Sequence, residues 1–166
     1  MFICAIERED VVRFHHLQHN ISDTGNDPDY LMREQLFHLG LLNGNYAQYA
    51  HGTSWRYEAG QTVLTYLVLV DLKSLDCLPT QVLSISNVVC SKSTDTLSPR
   101  PEKLCVDQVL VHGLRHLRYL MFDCGDQVIT NAIKDQPTLH LFSLLAPALA
   151  GRIGKPKWLN SLYMNA

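Results

Sequence analysis

Residues 62 to 70, TVLTYLVLV, constrain this chain more than any other stretch, because branched and aromatic residues follow one another there without a polar face. Such a run reads as a β-strand, and a strand apolar on both sides belongs inside a sheet covered above and below. The preceding HGTSWRYE, residues 51 to 58, is polar by contrast, and Ala59-Gly60 offers a turn between the two. Strict alternation would put Thr53, Trp55 and Tyr57 on one face of that first strand, with Ser54, Arg56 and Glu58 on the other.

Other segments sort by the same logic. FICAI and VVRFHHL flank the charged turn Glu7 to Asp10 and read as a hairpin. Asp27 as N-cap, Pro28 at the first helical position and Asp29 in the first turn open a helix expected to reach about Leu42, with Asn43-Gly44 as its stop. Gln81 to Cys90 reads as a further strand nearer an edge, since Ser84 and Ser86 share one side. Ser91 to Lys103 is polar with two prolines and has the composition of a flap. From Leu104 to Asp123, apolar residues recur every three or four positions (Val106, Leu110, Leu114, Leu117, Met121), the mark of an amphipathic helix. Shorter helices are expected over Gln127 to Lys134 and from Asp135 to about Leu145.

Strands early and helices late indicate a single α+β domain over residues 1 to 166, with a basic tail from about 151. The expected sheet has about 3–5 mostly antiparallel strands, covered by helices largely from the second half. The order of elements resembles that of the Nudix hydrolases. No glutamate-rich catalytic helix accompanies it, so the resemblance implies at most a degenerate, inactive α/β/α relative.

Composition removes several functions. A formal charge of -2 argues against nucleic acid as a partner. No apolar run is long enough to span a bilayer, and MFICAIERED is too short for a secretory signal, so a cytoplasmic location is the expectation. The five cysteines include no CxxC, and they read as buried, reduced thiols. No Walker loop, GxGxxG or GxSxG is present, and carboxylates are scattered, so no cofactor is expected.

What remains is a set of donors. His112 and His116 share a face of the long helix, with Gln108, Arg115 and Tyr119 on the same side. Metal binding there is disfavoured, because Gly113 stands where a metalloprotease has glutamate and Arg115 brings a cation beside the ligands. The strand offers Ser54 and Arg56, with Trp55 as a stacking wall. Ser54, Arg56, His112, Arg115, His116 and Tyr119 are therefore the candidate ligand-binding residues, suited to a phosphate or carboxylate. The expected function is a non-catalytic module that binds an anionic small molecule or a protein partner. One alternative is a hydrolase using His51 or His116 as general acid/base. Another is an assembly domain forming a homo-oligomer through tail aromatics Trp158 and Tyr163.

Overall fold

Strands β1 (Phe2–Arg8) and β2 (Val11–His16) form the opening hairpin, and both carry alternating or continuous apolar residues that need cover. Helix α1 (Pro28–His38) follows, then β3 (Ala47–Glu58), β4 (Gln61–Val70) and β5 (Gln81–Ser84). The second half is helical: α2 (Val106–Phe122), α3 (Gln127–Ala132) and α4 (Gln136–Leu144). This computed structural model describes residues 1–20, 27–42, 47–89 and 104–146. The expected flap Ser91 to Lys103, Cys90 and the tail with Trp158 and Tyr163 lie outside the described residues.

The class is α+β, built on one five-stranded mixed sheet in the order β3-β4-β1-β2-β5. β4 does lie inside the sheet, between β3 on one side and β1 on the other. It is antiparallel to β3 over its whole length, but parallel to β1 through only Phe2↔Leu67, Ile3↔Val68 and Cys4↔Leu69. Cover on both faces is complete only from Leu67 to Val70; the outer half is more open, with Leu64 40% exposed. The expected two-sided burial from Val63 onward is thus shorter by several residues, because β1 does not reach that far.

Alternation divides the core. Phe2, Cys4, Ile6, Leu67 and Leu69 face α2, α3 and α4 and pack with Leu110, Leu114, Leu117, Ile129 and Phe142. Ile3, Ala5, Val68 and Val70 face the other way, against Leu36 of α1, Leu41 and Leu75. Full burial of each such side chain contributes about 1.5–3 kcal/mol, so the sheet is clamped from both sides.

Local chemistry sets the helix starts. Asp27, Asp126 and Asp135 each accept from a backbone N–H in the first turn of α1, α3 and α4 respectively. α1 ends earlier than Leu42: Gly40 takes φ +74°, and Gly40 and Leu41 donate back to Phe37 and Leu36. Gly40, not Asn43-Gly44, is the stop, since only glycine enters that left-handed region without strain.

Two other expectations change. β5 covers Gln81–Ser84 instead of continuing to Cys90. The carboxylate of Asp10 accepts from Ser84 Oγ at 2.7 Å, from Ser86 Oγ and from the Ser86 backbone, which curls the chain into a 3-10 turn over Ile85–Asn87. The cysteines are free among the described residues, but only Cys4 is buried; Cys77, Cys105 and Cys124 are exposed. Burial pushes the Cys4 thiol well above its ordinary range, so it acts as a small core hydrophobe.

Candidate functional site

The geometry of β3 decides where its polar residues go. Its register against β4 shifts between Gly52 and Ser54, a bulge that places two residues opposite one. Thr53 therefore turns inward, buried, and its hydroxyl donates to the Thr65 carbonyl at 3.3 Å. Trp55 and Tyr57 instead stand outward, 73% and 62% exposed. The expected common face of Thr53, Trp55 and Tyr57 is broken by this one extra residue.

Inward-turned Thr53 meets α2 at Gly113, where a methyl group would lie 3.3 Å from its Oγ1 and 3.6 Å from Leu67. Helix and strand come close together here, and two distinct groups of polar side chains flank the contact. On the side of β3's start, the ring of His51 stacks on that of His116, centroids 5.6 Å apart at 15°, and on Tyr49 at 6.0 Å. His112 lies one turn earlier on α2, and Arg115 donates through Nε to the Ala146 carbonyl at 2.8 Å. Tyr119 is half-buried one turn further along.

On the other side, Arg56 donates to Thr65 Oγ1 at 3.3 Å and lines a cavity of about 570 Å³. That cavity exists because β4 outruns β1. All six residues from Gln61 to Tyr66 line it, where β1 has not yet begun. Leu31, Met32 and Gln35 of α1 close one flank, and Leu104, Val106 and Val109 at the start of α2 close the other. Met1, Phe2, His16 and Leu17 form the inner end, where the Met1 amino group donates to the Leu17 carbonyl at 2.7 Å. His16 stacks on Phe2 with centroids 4.6 Å apart. Burial, then the Met1 amino group, His15 and Arg56, lower its pKa below the ordinary histidine range. Tyr66 donates to the Asp29 carboxylate, and burial with that bond raises its pKa to about 12.

Of the six sequence candidates, Arg56 alone lines this cavity. Ser54 is half-buried on β3, while His112, Arg115, His116 and Tyr119 belong to the far side of the Thr53–Gly113 contact. The structure brings His116 to His51, the two histidines considered for acid–base chemistry, rather than to Arg56. No group of three or more metal-ligating side chains occurs among the described residues, and no helix among them is long and apolar enough to cross a membrane. His16, Gln35 and the β4 edge carried no local signal in the sequence; pairing of His16 with Phe2 across the hairpin puts it there.

The histidine pair has a testable consequence. Partial burial first, then His51 and His112, lower the pKa of His116; burial and Arg115 lower that of His112. The unfolded chain therefore binds more protons than the folded one as pH falls through about 6.5, and stability is lost in acid. The urea midpoint is expected to drop between pH 7.5 and 5.5, and His116→Gln to flatten that dependence. A midpoint that is level or rises toward pH 5.5 refutes it.

The chain matches no known protein family, and no characterised protein or solved structure is significantly similar to it.

Proposed function

We propose that this chain is a non-catalytic binding module whose ligand is a small anion with an apolar body, held in the cavity beside β4. The cavity's size carries the reading: about 570 Å³ falls in the range of small-molecule sites, roughly 300–1,000 Å³. Its lining fits an amphipathic guest. Leu31, Met32, Val63, Val106 and Val109 supply apolar walls, and Met32 adapts its shape to what it meets. Arg56 supplies the permanent positive charge, half-buried and steadied by Thr65, where a carboxylate or phosphate gains more than at an open surface. His16 adds a neutral imidazole that donates without bringing a second charge.

The His112–Arg115–His116 face belongs to a different role in this reading. Arg115 is committed to Ala146, and His116 to His51, so these groups steady α2 on the sheet. Cytoplasmic residence goes with the same proposal, supported by thiols that stay unpaired among the described residues.

Calorimetric titration with octanoate and with inorganic phosphate tests it. Octanoate is expected to bind more tightly than phosphate, because only it uses the apolar walls. Arg56→Ala should weaken octanoate at least tenfold, while Arg115→Ala leaves it unchanged. Absence of binding by both probes, or indifference to Arg56→Ala, refutes the proposal.

A further inference from the structure

The wall of the cavity includes something a simple anion does not need. β4 runs ten residues, Gln61–Val70, and β3 pairs with it throughout. On the opposite side β1 pairs only with Leu67, Val68 and Leu69. Among the described residues no strand accompanies Gln61 to Tyr66 on that side, and all six line the cavity. Alternate N–H and C=O groups of a strand point to each side, so the cavity is bordered by a row of main-chain donors and acceptors. Such an edge in a half-open slot, with α1 on one flank and the start of α2 on the other, matches an added strand.

We propose that the slot takes an extended peptide segment, which pairs with β4 as an added parallel strand and ends in a free carboxylate. This rests on the anion-binding reading of the cavity and names its ligand class. Direction follows from where the donors sit. β4 runs inward from Gln61 toward Leu67, and the inner end of the slot carries His16 and Leu17, with Arg56 reaching the same cavity and held by Thr65 Oγ1, two residues before Leu67. A peptide running with β4 brings its terminal carboxylate to that end. β1 pairs with β4 on the same flank and in the same parallel sense through Leu67 to Leu69, so a parallel guest beside Gln61 to Tyr66 keeps the sheet's own geometry. Its side chains alternate between α1, near Leu31 and Met32, and α2, near Val106 and Val109, so small and β-branched residues fit best. Four residues at about 3.3 Å each span roughly 13 Å, less than the open edge of six residues.

The probe is Ac-Thr-Val-Ser-Val with a free carboxylate, titrated calorimetrically into the whole chain beside octanoate. Three analogues accompany it: the C-terminal amide, and peptides N-methylated singly at the second or the third residue. Because strand pairing uses alternate amides, one N-methyl analogue is expected to lose at least tenfold in affinity and the other much less. The terminal amide should lose at least tenfold, and Arg56→Ala should reduce the free acid to the level of the amide. Equal affinity of both N-methyl analogues and the parent overturns strand addition. Binding of octanoate without the peptide leaves the anion-binding cavity standing and overturns the peptide ligand. Failure of octanoate and peptide alike overturns both.

Discussion

Phe142→Ala is expected to cost about 3–5 kcal/mol, the range for truncating a fully buried aromatic whose site cannot collapse. Phe142 is wholly buried on α4, in the cluster that joins α2, α3 and α4 to Phe2, Phe14 and Leu69 of the sheet. A domain of this size holds about 5–15 kcal/mol in total, so the variant keeps only part of its stability. Urea unfolding measures it, and the melting temperature should fall by about 2–4 °C for each kcal/mol. Leu144→Ala is the control, since Leu144, two residues on and on the opposite side of α4, is 63% exposed and should change stability by less than about 0.5 kcal/mol. A loss under about 1 kcal/mol at Phe142 would mean that α4 is not docked on this face.

The second large effect belongs to Gly113. Alanine there gains about 1 kcal/mol of helix propensity but places its methyl 3.3 Å from Thr53 Oγ1 and 3.5 Å from Thr53 Cγ2. Those terms oppose each other, so Gly113→Ala should be close to neutral. Leucine adds three more carbons where Thr53 and Leu67 already stand, and α2 must move off the sheet. Over-packing of this kind costs about 1–3 kcal/mol. The same displacement pulls His116 from His51, so the pH dependence of stability should weaken in Gly113→Leu and persist in Gly113→Ala. Urea midpoints at two pH values give both quantities; a leucine variant as stable as the alanine variant rules out the close approach.

What could be read in advance was what neighbours in sequence decide. Asp27 before Pro28, and Asp135 before Gln136-Pro137, mark helix starts because each carboxylate serves an amide two or three residues on. The interior place of β4 was legible because its second half has no polar face. Expectations failed where a distant residue intervened. Asp10 shortens β5 across more than seventy residues, and no feature of Gln81 to Cys90 announces it. The bulge between Gly52 and Ser54 changes the parity of β3 against β4, so Thr53 goes inward while Trp55 and Tyr57 go outward. A polar strand with a glycine can host such a bulge, but the sequence does not say at which residue.

The candidate site followed the same rule. Arg56 was recognisable as a donor on a strand, and the basic face of α2 as a donor set on a helix. Their convergence was assumed, and it depends on how far α2 slides along β3. The Thr53–Gly113 contact sets that slide and leaves the helix face with His51 instead. The cavity itself comes from the register of β1 on β4, a relation between residues at opposite ends of the first half.

That same register has a consequence during translation. The β1–β2 hairpin can close as soon as it leaves the ribosome, but the parallel neighbour of Phe2 is Leu67, about 65 residues later. At roughly 5–20 residues per second, the free flank of FICAI waits about 3–13 s for its partner. An apolar ribbon left open that long invites pairing with other nascent chains. The yield of native protein in a cell should therefore respond to synthesis speed and to chaperones that bind extended apolar segments.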